Sequence, residues 1–269
     1  MTRDLWKTAD GKFDAGAASV ETWIPDGGFE IQRRKVKGSD GNPIIADCLV
    51  PKWPDVEVFS SRPCHEEPCL HRILAECQPG GVLSFADNYG LLAFSVPRHL
   101  AGKKVHAGDV LQPEPLTFWQ EEIGLLRRLT GLWDSILANE RKARTKMDEA
   151  ELRRRLRQPD DAKRADLIRL GRQRLGRELT AKLAGVKFDL TASPEGENDH
   201  FVIRYRPSRL TDALWQRFAE EIAGLTACAK CPAPGCGRWF LRSAGRSDKA
   251  YCCHACQMRA WRTISEHPR

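Results

Sequence analysis

The stretch Cys231–Cys256, "CPAPGCGRWFLRSAGRSDKAYCCHAC", decides how the chain is read. Its cysteines fall in two close pairs, Cys231/Cys236 and Cys252/Cys256, with the spacing C-x4-C-x15-C-x3-C. Such pairs serve as disulfide partners, redox thiols or metal ligands. A tetrahedral zinc takes four thiolates at about 2.3 Å, and ligands close in sequence reach it from one tight turn. Pro232, Pro234 and Gly235 lie between the first two cysteines and favour such a turn. "RWFLR" (238–242) reads as a strand leaving the turn, with "AGRSDKAYC" (244–252) as the expected hairpin return. Cys252 and Cys256 stand four apart, which places both on one side of the first turn of a helix continuing as "QMRAWRTIS" (257–265). A turn, a hairpin and a helix that supplies the last ligand make a treble-clef-like zinc finger. Cys228, three residues before Cys231, is an alternative to it, and Cys253 or His254 is an alternative to Cys252.

Four cysteines close the coordination shell, whereas a catalytic zinc keeps an open position beside a general acid or base. No H-E-x-x-H and no H-x-E…P-C-x-x-C pattern occurs. Zn²⁺ is therefore expected to be structural, with its binding energy acting as folding energy. No phosphate-binding glycine loop stands out either. "GRQRLG" (171–176) lacks the preceding strand that a nucleotide loop needs. These absences argue against an enzyme.

The setting favours metal over disulfides. The start, "MTRDLWKTADGKFDAG", has no apolar run suited to a signal peptide, and no stretch has the length and apolarity of a membrane span. The chain is expected to be cytoplasmic, where paired cysteines are more often metal ligands or catalytic thiols.

Charge is segregated along the 269 residues. Net charge is −5 over 1–140, +9 over 141–187, −3 over 188–223 and +6 over 224–269. A zinc with four thiolates adds −2 and leaves the tail at +4. Arg238, Arg242, Arg246, Lys249, Arg259 and Arg262 surround Trp239 and Trp261 in the finger. Arginine and lysine contact phosphates, and exposed tryptophan stacks on bases. These six are the candidate nucleic-acid contacts, with DNA favoured over RNA. The bland reading is that Trp239, Phe240 and Trp261 form a small core behind the metal, and Phe240 is assigned to that role.

The apolar pattern of the rest predicts a mainly α fold. A stripe of Trp119, Ile123, Leu126, Leu129, Trp133 and Leu137 predicts a long core helix starting near Thr117, whose spacing to Gln120 matches a capping box. "PCLHRILAEC" (68–77), "VLSFADNYGLLAF" (82–94) and "LTDALWQRFAEEIAGL" (210–225) read as further amphipathic helices. "ELRRRLRQ" (151–158) and "RADLIRLGRQRLGRELTAKL" (164–183) are basic helices with leucine anchors. "FEIQRRKV" (29–36), "VEVFSS" (56–61) and "FVIRYR" (201–206) are strand candidates. The expected organisation is an extended or β-containing region over 1–62, a helical domain over 63–225 and the zinc finger over 226–269.

"CPAPGCGRWF" with "YCCHACQMRAWR" resembles the CGNR-type zinc fingers at the ends of many bacterial regulators. Cys231, Cys236, Phe240, Tyr251, Cys252, Cys256 and Arg259 match that pattern. Gln257 and Met258 stand where the family has Gly and Asn, and the second cysteine pair is one residue shorter. The resemblance is confined to the tail. It implies a treble-clef-like finger in a DNA-binding, transcription-regulating protein. "FADNYGLL" (85–92) and "FWQEEIGLLRRL" (118–129) resemble helical regions found with such fingers, and this part would sense a ligand or form a homodimer. The competing reading is a protein-interaction module whose zinc finger only staples the tail.

Two further groups carry alternatives. Cys64, His65, Cys69 and His71, with Cys77, offer donors for a second metal site, although helical periodicity makes Cys69 and Cys77 small buried apolar residues. Arg153, Arg154, Arg155, Arg157, Arg169, Arg172 and Arg174 either grip a polyanion or form a solvated face balanced by acidic neighbours.

Overall fold

In chain order, β1 (Thr22–Pro25), β2 (Phe29–Lys37), β3 (Pro43–Pro51) and β4 (Asp55–Ser61) precede α1 (Leu70–Glu76), a 3-10 turn at Pro79–Gly81 and α2 (Val82–Tyr89). β5 (Lys104–His106) and β6 (Glu114–Pro115) lead into α3 (Leu116–Glu140), α4 (Lys146–Leu156) and α5 (Arg164–Leu183). β7 (Lys187–Ala192), β8 (Phe201–Arg206), α6 (Leu210–Ile222), β9 (Ala227–Lys230), β10 (Trp239–Arg242) and α7 (His254–Glu266) follow. The computed structural model describes residues 22–25, 27–37, 41–53, 55–61, 64, 67, 69–93, 104–106, 112–141, 145–192, 201–242 and 250–266. Among these the fold is mainly α, with a strand-containing N-terminal part and a C-terminal cysteine cluster.

The chain divides into two compact units, each gathered from three separated stretches. One comprises Met1–Pro68, Leu83–Pro115 and Gly185–Arg217; the other comprises Cys69–Val82, Leu116–Ala184 and Phe218–Arg269.

In the first unit, β1-β4-β5 and β2-β3-β6 are antiparallel sheets, and β7 pairs with β8. The β2–β3 register runs from Phe29↔Pro51 to Lys37↔Pro43. Its inner end buries Phe29, Leu49 and Val50, while Ile44 and Ile45 lie exposed toward the other end. Carboxylates satisfy backbone donors around this core. Asp87 Oδ1 accepts from Phe29 N at 2.7 Å, and buried Glu114 accepts from Leu92 N at 3.0 Å and Ala93 N at 2.6 Å.

The second unit is built on α3. Trp119, Ile123, Leu126, Leu129, Leu132, Trp133 and Ile136 are buried along it, at the 3.6-residue spacing of a core-facing helix. The helix begins at Leu116, so Thr117 lies inside its first turn and does not cap it. Helices α1, α4 and α5 pack on α3. From α4 come Leu152 and Leu156, and from α5 Leu167, Leu175 and Leu179. Gly171 of α5 lets the backbone come close to α3: a β-carbon there would stand 2.8 Å from Ile136 Cδ1. A capping box does occur at α4, where Thr145 and Asp148 satisfy one another's backbone N–H groups. Asn139, buried on α3, donates to Ser135 O at 2.8 Å and Asp148 O at 2.9 Å, tying α3 to the start of α4.

The arginines of α4 and α5 are largely matched by acidic neighbours. Arg153 pairs with Glu149, Arg154 and Arg155 with Glu151 at 2.8 and 2.7 Å, Arg169 with Asp166 at 2.9 Å, and Arg172 with Glu140 at 2.8 Å. These pairs fit the solvated-face reading of the basic helices.

Candidate metal centre

The cysteine cluster is assembled by a hairpin and a helix. β9 pairs antiparallel with β10, from Lys230↔Trp239 to Ala227↔Arg242. The described strand that partners "RWFLR" precedes the first cysteine pair; the expected hairpin return over 244–252 lies mostly outside the described residues. Cys231 N donates to Arg238 O at 2.8 Å and closes the loop between the strands, while Cys236 N donates to Ala233 O at 3.0 Å. Gly235 and Gly237 flank Cys236 with φ of 71° and 60°. That left-handed backbone is open to glycine and strained for most other residues, which explains the sequence "GCG".

Cys256 lies in the first turn of α7, and Cys252 stands two residues before its start. The expectation that both occupy that turn is corrected: the chain bends through 251–253 and delivers Cys252 from outside the helix. The four sulfurs of Cys231, Cys236, Cys252 and Cys256 lie within 4.8 Å of one another. Cys252 Sγ is 3.7 Å from Cys236 Sγ and 3.5 Å from Cys256 Sγ. A tetrahedron with metal–sulfur bonds of about 2.3 Å has edges of about 3.8 Å. The spacing is too long for disulfides and right for a shared ion. A four-thiolate tetrahedral set suits zinc or iron.

Behind the sulfurs, Cys231, Ala233, Phe240 and Cys256 form a buried cluster, packed against Ala229, Cys236, Tyr251 and Cys252. Phe240 thus takes the packing role expected of it. Burial acts to raise the Cys231 thiol, but hydrogen bonds from the Cys252 and Ala233 backbone and from the neighbouring thiols outweigh it and bring it to about 7. Burial and the thiols around it push Cys252 up. Thiolate ligands bind a metal ion in the deprotonated form, so an ion held here would release the thiol protons.

The alternative ligands fall outside the four-sulfur group. Cys228 is disulfide-linked to Cys69. Cys253 is exposed, with its sulfur 3.9 Å from that of Cys252, and His254 is exposed at the start of α7. Arg238, Arg242, Arg259 and Arg262 are all exposed on the finger, while Arg246 and Lys249 lie outside the described residues. Arg259 Nη1 also donates to Pro234 O at 3.1 Å, so it helps hold α7 against the cysteine loop. Trp261 is 55% exposed. Trp239 instead carries Arg72 and Lys230 at 5.3 and 5.8 Å from its ring centre, which occupies the ring considered for base stacking.

Contacts that sequence reasoning missed hold the hairpin to α1. Besides the Cys69–Cys228 bond and the Arg72–Trp239 contact, Lys230 pairs with Glu76 at 2.9 Å. Arg72 is itself fixed: it pairs with Glu221 and, at 2.8 Å, with Asp134. His71 Nε2 meets Glu221 Oε2 at 2.7 Å. Burial alone would raise the Glu221 carboxyl, but hydrogen bonds from His71 and Arg72, with the Arg72 charge, hold it below the usual carboxylate range. These partners come from far apart in sequence, and no local spacing announces them. Of the donors proposed for a second site, Cys69 and His71 meet Cys228 and Glu221; His65 lies outside the described residues.

No protein family, curated protein or solved structure matches the chain. Among the described residues, no helix is long and apolar enough to cross a membrane.

Proposed function

We propose that the chain is a zinc-binding regulatory protein that binds nucleic acid, DNA in preference to RNA, with a structural four-cysteine zinc and no catalytic role. The observation that carries the reading is a closed four-sulfur cluster at tetrahedral spacing, with exposed arginines around it. A closed shell leaves no position for a substrate on the metal, so the ion shapes the finger. Arg238, Arg242 and Arg262 then offer phosphate contacts, Arg259 divides its donors between Pro234 and the ligand, and Trp261 offers a stacking face. The likeness of the tail to CGNR-type fingers supports the same reading. Zinc-loaded protein is expected to bind duplex DNA with an affinity that falls steeply with salt, and Arg262→Ala and Arg242→Ala each to flatten that slope by about one unit. Absence of DNA and RNA binding at low salt refutes the reading.

A second reading has one observation in its favour. The hairpin is fastened to α1 by a disulfide, an ion pair and a cation–π contact. A finger so held acts as an intramolecular staple and leaves recognition to a protein partner. Capture of the same partner from nuclease-treated and untreated lysate would favour it.

A further inference from the structure

Cys69, His71, Glu221 and Cys228 converge from three separate parts of the second unit. Cys69 and His71 flank the start of α1, Glu221 lies near the end of α6, and Cys228 lies on β9. Donor atoms of His71, Glu221 and Cys228 all lie within 4.8 Å of one another, and Cys69 is bonded to Cys228. Cys69, His71 and Glu221 are buried, and Cys228 is half-buried. From this convergence we infer that reduction of the Cys69–Cys228 bond opens a second metal site, made of two cysteines, one histidine and one glutamate, that takes a zinc-class divalent ion.

The donor set is the first argument. Two thiolates, an imidazole and a carboxylate are each ordinary zinc ligands, and four of them fill a tetrahedron. Among His71, Glu221 and Cys228 only small movements are needed: the His71–Glu221 contact opens from 2.7 Å to about 3.3 Å. Cleavage frees the Cys69 sulfur to separate from that of Cys228 to a tetrahedral edge of about 3.8 Å. The second argument is the outer contact. Arg72, also buried, holds Glu221 through both oxygens and is anchored in turn by Asp134. An arginine on the far oxygen orients a ligating carboxylate in the way that outer hydrogen bonds orient metal ligands generally. Charge is the third argument. Two thiolates and a carboxylate balance a divalent ion and the Arg72 guanidinium, leaving the buried group neutral. In the disulfide form Glu221 faces both Arg72 and His71, so its carboxylate is paired there too. Neither state buries an uncompensated charge.

The chemistry balances with an ordinary reductant. A phosphine gives two electrons to the S–S bond and takes the oxygen of one water, and the two sulfurs take the two protons. The entering metal ion then displaces those protons. The finger hairpin is thus tied to α1 by a covalent bond in one state and by a metal bridge in the other.

The test is metal stoichiometry on the full chain. Protein reduced with a phosphine without oxygen, loaded with zinc and freed of excess metal is expected to hold two ions per chain; the unreduced protein is expected to hold one. In the reduced state, His71→Ala and Cys228→Ser should each hold one ion, and Cys252→Ser should keep the ion at this second site. Cobalt(II) titration of the reduced wild-type chain needs no variant. The two-sulfur ion should show about half the thiolate-to-metal charge-transfer intensity of the four-sulfur ion, in proportion to its sulfurs. A single ion in reduced protein, lost in Cys252→Ser and kept in His71→Ala, overturns the inference and leaves the four-cysteine centre standing. A cobalt titration that ends after one all-sulfur ion overturns it as well.

Discussion

Replacing Glu221 by alanine in the oxidised protein tests whether the buried ion pair governs the stability of the second unit. Glu221 accepts from His71 Nε2 at 2.7 Å, from Arg72 Nε at 3.1 Å and from Arg72 Nη2. Alanine leaves Arg72 and His71 buried without that acceptor. Removing one partner of a buried pair costs about 3–5 kcal/mol, most of it from the charge left behind. Asp134, half-exposed, still reaches Arg72 at 2.8 Å and offsets part of the loss. The expected cost is therefore at the lower end, about 3 kcal/mol. Urea unfolding at pH 7, followed by tryptophan fluorescence, measures it. The double variant with Arg72→Met should cost less than the two single variants together by at least about 1.5 kcal/mol, because its second change removes the stranded charge. The pH dependence follows from the depressed carboxyl. Its contribution is fully present above the unfolded-state value of about 4.3 and is lost as pH falls through the lower folded value. The gap between wild type and Glu221→Ala should stay constant from about pH 7 to 5 and shrink below about 4. A loss under about 1 kcal/mol at pH 7, or a gap that does not shrink as pH falls below about 4, refutes the reasoning.

Three more outcomes are expected. Cys252→Ser should lose the ion of the four-cysteine centre, and its tail should become sensitive to protease while the α3 bundle stays folded; elemental assay and limited proteolysis check both. Thr145→Ala removes the capping box of α4 and should cost about 1 kcal/mol in urea unfolding, with Thr145→Ser close to wild type. Gly171→Val drives side-chain atoms into Ile136 and should cost about 1–3 kcal/mol, while Gly176→Val, with nothing near its β-carbon, should be neutral or stabilise by a few tenths of a kcal/mol, roughly the helix-propensity gain of valine over glycine.

The helices were legible because one apolar face suffices to announce them. The run from Trp119 to Trp133 repeats at helical spacing, and those residues are buried as that spacing implies. The four cysteines were legible because turn chemistry brings each pair together locally. β3 was not legible. "PIIADCLVP" buries Leu49 and Val50 but exposes Ile44 and Ile45, so its apolar residues do not track one face. The start of α3 misled because Thr117 and Gln120 have capping spacing, yet β6 runs straight into the helix. The Cys69–Cys228 bond and the Arg72–Glu221 pair join residues 159 and 149 positions apart, and no periodicity reaches that far.

The bond between Cys69 and Cys228 also makes the polypeptide a lasso with two free tails. Every described helix from α1 to α6 runs inside its ring, and only α7 lies on a tail. Arg157, exposed just after α4, is within the ring too, so a single tryptic cut there turns circle into thread without parting the pieces. On a gel the nicked protein would migrate near full mass until thiol is added, and then fall into two bands.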